Sequence, residues 1–301
     1  MLRPWLELAR ISNLPTVWTN VLAGWLLAGG MYAKETPAVM GKPLAWLLLG
    51  GSLMYMAGMI LNDAADTRWD RAHRKERPIP SGKVPLWLAW TVGLGMLLGG
   101  AAVAVWAAGA CIWLAGSLVV AILAYDLFHK PWSGSVLIMG ACRTLLYLVA
   151  GSAVTGGLDW NDNRELCIKA MALGAYIVGV SLAARHEAKA HQSLTGSAPM
   201  SQKLVGGLGL IAPVIVSLWY AGQHGDWLPI VYAVGLLAVV HSALSWMKEN
   251  PKWIGRAVSL LLASICLVDA AAIGSRADFA SIICIAALML AVLAQRKIAA
   301  T

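Results

Sequence analysis

Leu44-Ala-Trp-Leu-Leu-Leu-Gly-Gly-Ser-Leu-Met-Tyr-Met-Ala-Gly-Met-Ile-Leu61 carries no charge and runs directly into Asn62-Asp63-Ala64-Ala65-Asp66-Thr67-Arg68-Trp69-Asp70. A spanning helix needs about 20 mostly apolar residues, and residues 44–63 supply them just as the acids begin. Similar stretches lie near 14–32, 85–107, 109–127, 134–156, 166–184, 204–222, 226–246, 254–274 and 277–295, ten in all. Loop-like runs separate them, among them Arg77-Pro-Ile-Pro-Ser-Gly82, Thr195-Gly-Ser-Ala-Pro199 and Glu249-Asn-Pro251. The expected fold is all-α: a polytopic transmembrane bundle in which residues 1–301 make a single integral membrane domain.

Composition agrees. The chain is 59% hydrophobic and only 13% charged, far from the soluble average of about 25% charged. Its net charge of +8 suits basic loops meeting anionic headgroups or a phosphorylated substrate, rather than nucleic acid. With the N-terminus cytoplasmic, seventeen Lys and Arg fall on its face and five on the other, Arg143 being the remaining one of the 23. Cytoplasmic loops carry such an excess, so the acidic motif is expected on the cytoplasmic side of a bacterial-type inner membrane. Met1-Leu-Arg-Pro-Trp-Leu-Glu lacks the pattern of a cleaved signal. The five cysteines sit in or beside apolar stretches with no Cys-x-x-Cys spacing, which argues against disulfides and zinc.

Asn62, Asp66 and Asp70 recur every fourth residue, so on a helix of about 3.6 residues per turn they form one stripe, with Asp63 beside it. Carboxylates at a membrane edge are costly unless a cation neutralises them. Oxygen ligands without His or Cys suit Mg²⁺, which takes one or two carboxylates and completes its shell with water and substrate phosphate. A diphosphate is thus the implied partner. Downstream, Arg68, Arg71, Arg74, Lys75 and Arg77 could grip its oxygens, although a basic loop obeying the positive-inside rule would look the same. Arg143 lies about nine residues, or about 13 Å, inside its span and needs a partner there. It either faces a cavity or pairs with an acid such as Asp126 or Asp269.

Asn62-Asp-x-x-Asp66-x-x-x-Asp70 followed by Arg77-Pro-Ile-Pro-Ser-Gly82 resembles the first signature of the UbiA superfamily of prenyltransferases. Arg10-Ile-Ser-Asn-Leu-Pro15 is similar to the start of that family's first span. Tyr125-Asp-Leu-Phe-His-Lys130 resembles its Tyr-x-x-x-Lys element, one position out of register, and Gly140-Ala-Cys-Arg143 resembles its fifth span. The resemblance covers residues 5 to about 190. It implies nine or ten spans around a central cavity, and Mg²⁺-dependent transfer of a prenyl group from a prenyl diphosphate to an aromatic or lipophilic acceptor. Asn62, Asp63, Asp66 and Asp70 would hold the metal. Asp66, Asp70 and Tyr125 would carry catalysis, and Arg10, Arg77, Lys130, Arg143, Arg185 and Glu187 would bind substrate.

The family's second acidic motif, Asp-x-x-x-Asp at the end of span six, is replaced here by Ser181-Leu-Ala-Ala-Arg185-His186-Glu187-Ala-Lys189-Ala-His191. The pattern resembles the EboC-type branch. It leaves three readings open: an altered metal site using His186, Glu187 and His191, replacement of a second metal's charge by Arg185 and Lys189, or loss of activity. The alternative function is therefore a non-catalytic UbiA-fold protein that binds or moves an isoprenoid-like metabolite. CDP-alcohol phosphotransferases need Asp-Gly-x-x-Ala-Arg, which is absent. A secondary transporter would be favoured by an internal repeat, and none is visible.

Overall fold

A computed structural model describes residues 2–30, 37–128, 132, 134–192 and 200–298, with backbone alone for 37–42, 186–192, 251, 275, 276 and 278. Among the described residues there are helices and turns but no strand. The helices are α1 (Leu2–Leu8), α2 (Leu14–Leu27), α3 (Pro37–Ala65), α4 (Thr67–His73), α5 (Leu86–Ala102), α6 (Ile112–Phe128), α7 (Ser135–Thr155), α8 (Arg164–Gln192), α9 (Met200–His224), α10 (Leu228–Glu249), α11 (Ile254–Ala263), α12 (Ile265–Ile273) and α13 (Asp278–Gln295).

Among the described residues, seven units are long and apolar enough to cross a membrane: 43–65, 86–107, 135–155, 164–185, 200–224, 228–249 and 254–273. The chain is a multi-pass integral membrane protein. Each of the ten apolar stretches read from sequence contains a helix, but nine or ten full-length spans exceed the seven found. The other three, α2, α6 and α13, are 14, 17 and 18 residues long. At 1.5 Å per residue the shortest rises only about 21 Å, against about 30 Å of hydrocarbon. Its start is set by the 3-10 turn Ile11–Asn13, and just beyond its end Gly29 takes a positive φ.

In lipid there is no hydrophobic gain when one apolar helix meets another, so small residues that permit close contact dominate the seams. A Cβ added at Gly140 would lie 2.6 Å from the Gly174 carbonyl oxygen, so α7 and α8 touch backbone to backbone. Gly140→Val is expected to destabilise the protein by about 1–3 kcal/mol, seen as a lower melting temperature in detergent.

A polar network pins α2, α7 and α12 together. Asp269, fully buried, accepts from Asn20 Nδ2 at 2.8 Å and from Tyr147 Oη at 2.9 Å. Arg143 Nη1 donates to Asn20 Oδ1 at 2.7 Å and Nη2 to Thr16 Oγ1 at 3.2 Å. Removing one partner from a buried hydrogen bond costs about 1–3 kcal/mol. Tyr147→Phe is expected to lose that much in denaturation while leaving the cavity wall described below unchanged.

Candidate active site

Helices α3, α6, α7, α8 and α11 surround a cavity of about 370 Å³. Its long wall is apolar, with Met54, Met59, Leu118, Ile122, Met139 and Val180 among the side chains. Its polar groups include Arg10, Asn62, Tyr125, Asp126, Arg143 and Arg185. Such a pocket, mostly apolar with a few convergent polar groups, is the usual form of a small-molecule site.

The acidic motif sits where α3 gives way to α4. Asp66 is the hinge residue between them, and the backbone keeps the helical pattern across it: Asp66 N–H donates to Asn62 O and Asp70 N–H to Asp66 O, both at 3.0 Å. The side chains nonetheless part company. Asn62 turns to the cavity and donates through Nδ2 to Asp126 Oδ1 at 3.3 Å. Asp63 Oδ1 and Asp70 Oδ2 both lie 3.0 Å from Arg77 Nη1. Among the described residues no three His, Cys, Asp or Glu side chains are grouped as a metal cage. Buried carboxylates require a compensating positive charge, and Arg77 provides it for Asp63 and Asp70.

The turn that brings Arg77 back is written in its own sequence. Ser81 N–H donates to Arg77 O at 3.0 Å and Val84 N–H to Pro78 O at 3.1 Å, while Gly82 adopts φ +76, which only glycine takes without strain. Ile79 and Val84 are buried against Leu8, Ile60, Ala64 and Ala89. The Pro-Ile-Pro-Ser-Gly run is therefore a clamp that seats Arg77 on the acids.

Two features keep the motif suited to an oxygen-ligated cation. Asp70 is 1% exposed, yet its Oδ1 has no hydrogen-bond partner. Asp66 makes no capping bond to α4. Mg²⁺ asks for one or two carboxylates, water and substrate oxygens, and Asn62, Asp66 and Asp70 are the residues here that could offer oxygens to one.

Arg10 is the one residue other than glycine with positive φ among the described residues, at φ 44 and ψ 50. That left-handed conformation costs about 1–3 kcal/mol and tends to mark functional positions. Arg10 lines the cavity, and its guanidinium lies 3.6 Å from Asp63 Oδ1. Arg143 also faces the cavity, with its guanidinium 5.5 Å from the centre of the Tyr55 ring. Asn20 bridges it to Asp269, so Arg143 faces the cavity and is joined to an acid only through an amide. Arg185 donates to Ser135 Oγ at 3.1 Å and lines the cavity, as does Tyr125. Arg77 is not on that wall; it sits behind the motif. Tyr147 is fully buried, bonded to Asp269, and does not line the cavity. Lys130 and the side chains of His186, Glu187, Lys189 and His191 fall outside the described residues. Sequence reasoning missed Asp126 and Tyr55 as wall residues: Asp126 follows Tyr125 directly, and Tyr55 stands two helical turns before Asn62.

The UbiA prenyltransferase family matches residues 21–265. The chain belongs to that family. A digeranylgeranylglyceryl phosphate synthase of Methanoculleus marisnigri is 24% identical over 252 residues, covering 78% of this chain and 81% of that protein. A 4-hydroxybenzoate octaprenyltransferase of Burkholderia pseudomallei is 33% identical over 90 residues, so the match spans 29% of that enzyme. The apo structure of a UbiA homologue from Aeropyrum pernix K1 shares the fold, with TM-score 0.63 and 18% identity over 87% of this chain and 96% of that one. A second structure, of digeranylgeranylglyceryl phosphate synthase in membranes, gives TM-score 0.61 at 18% identity over 90% of this chain and 97% of that one. This UbiA-family member is a prenyltransferase, a transferase of alkyl groups other than methyl, acting within the membrane.

Proposed function

We propose that the enzyme transfers a prenyl group from a prenyl diphosphate to a lipophilic or aromatic acceptor with Mg²⁺, the acidic motif facing the cytoplasm. The observation that carries this reading is the cavity itself: about 370 Å³, with a mostly apolar wall suited to an isoprenoid tail and with Asn62, Arg10, Arg143 and Arg185 also on that wall. Asn62, Asp66 and the open oxygen of Asp70 would hold the cation, with Asp63 behind them on Arg10 and Arg77. Bound there, Mg²⁺ would supply Lewis-acid stabilisation of the departing diphosphate.

The chain's own groups do the rest. Arg10 and Arg185 orient the diphosphate oxygens by charge-assisted hydrogen bonds, with Lys130 as a further candidate donor; Glu187, a carboxylate, could reach the diphosphate only through a shared cation. The C–O bond to diphosphate breaks, and the allylic carbon gains a bond to the acceptor, which releases a proton. Tyr125 and Tyr55 line the cavity, where a ring face turned to the allylic cation would favour its charge by about 0.5–2 kcal/mol. Arg143, held over Tyr55, offers its remaining N–H groups to an oxygen of the acceptor. By their names, one relative makes digeranylgeranylglyceryl phosphate and the other prenylates 4-hydroxybenzoate, so a prenylated glyceryl phosphate and 4-hydroxybenzoate both belong in the assay as acceptors. Purified protein given Mg²⁺, geranylgeranyl diphosphate and either acceptor should release pyrophosphate in step with prenylated product, and EDTA should stop both. Release that persists in EDTA would refute the metal-dependent reading.

A further inference from the structure

Asn62 opens the acidic motif, yet its side chain is turned by a residue on another helix. Asp126 sits on α6, is 5% exposed, and lines the cavity beside Tyr125. Its Oδ1 lies 3.3 Å from Asn62 Nδ2. An ionised carboxylate can only accept hydrogen bonds, whereas an amide can do both. A carboxylate against Asn62 therefore admits one orientation of the amide: the NH₂ group toward Asp126 and the carbonyl oxygen away from it. Oxygen, not nitrogen, is the atom a hard divalent cation takes. An amide free to flip would present the wrong atom half of the time.

Resting on the metal-dependent reading above, we infer that Asp126 is a positioning residue: it holds Asn62 by its nitrogen and so presents the Asn62 carbonyl oxygen to the cation shared with the diphosphate. The anchor comes from α6. Span six, where the family resemblance would place a second acidic pair, instead contributes Arg185, bonded to Ser135. Outer partners of this kind typically change metal affinity by about 10–100-fold.

The test is Mn²⁺ binding followed by electron paramagnetic resonance, with the full-length protein in detergent and inorganic pyrophosphate present. Asp126→Asn, whose amide can either donate to or accept from Asn62, is expected to weaken Mn²⁺ about 10-fold or more. Asn62→Ala should do the same. The double variant should bind no worse than the weaker single one, because Asp126 acts through Asn62. Asp126→Glu, which still only accepts, should restore most of the affinity. Melting curves without Mn²⁺ confirm folding, and Asp126→Leu replaces Asp126→Asn if that variant is not recovered. Wild-type affinity in Asp126→Asn, or losses that multiply in the double variant, would overturn the inference while Asp66→Asn still abolishes binding. Should the wild type itself take up no Mn²⁺, or Asp66→Asn leave uptake unchanged, the metal-dependent reading fails first.

Discussion

Arg77→Ala is expected to destabilise the protein by about 3–5 kcal/mol, the usual cost of stripping the partner from a buried ion pair. Arg77 Nη1 is 3.0 Å from both Asp63 Oδ1 and Asp70 Oδ2. Without it Asp63 retains Arg10 at 3.6 Å, but Asp70, almost wholly buried and already carrying one unbonded oxygen, has no charged partner left among the described residues. Pairing the substitution with Asp70→Asn removes the stranded charge, so the double variant should recover a large part of the loss. Thermal denaturation of the four proteins in detergent gives the cycle. Equal melting temperatures for wild type and Arg77→Ala would show that the clamp contributes nothing.

Asp66→Ala should have the opposite profile, an intact fold with little turnover. Asp66 is half-buried and makes no capping bond to α4, so helix α4 does not depend on its carboxylate. Its place between Asn62 and Asp70 makes it the carboxylate least committed to Arg77. Loss of one preorganised electrostatic group at a site of developing charge commonly lowers kcat about 10²–10³-fold. Pyrophosphate release at saturating prenyl diphosphate is the measurement, beside a melting curve within a few degrees of wild type. A variant with wild-type turnover would remove Asp66 from the site.

Much of this molecule was legible in the amino-acid sequence, and the reasons differ by feature. Apolar runs of span length mark where helices form because lipid leaves the backbone no other partner, which is why every predicted stretch contains a helix. How far each helix extends is decided by tertiary contacts and by local breaks, such as the left-handed Arg10 before α2. The four-residue spacing marked Asn62, Asp66 and Asp70 as one stripe. Which way each side chain turns depends on charges supplied from elsewhere: Arg77 from the following loop and Asp126 from α6, sixty-four positions from Asn62. Arg143 was recognisable as a buried charge, but its link to Asp269 runs through Asn20 and joins three helices far apart in the chain. Spacing within one element is visible in a linear reading, whereas pairing between elements is not.

Asp63 and its guanidinium partner stand fourteen positions apart. The helical hairpin that enters and leaves the bilayer around them is therefore electrically self-sufficient. As ribosomal synthesis delivers this hairpin, Asp63 and Asp70 can settle at the lipid boundary with a countercharge from the same hairpin beside them, before any later helix arrives.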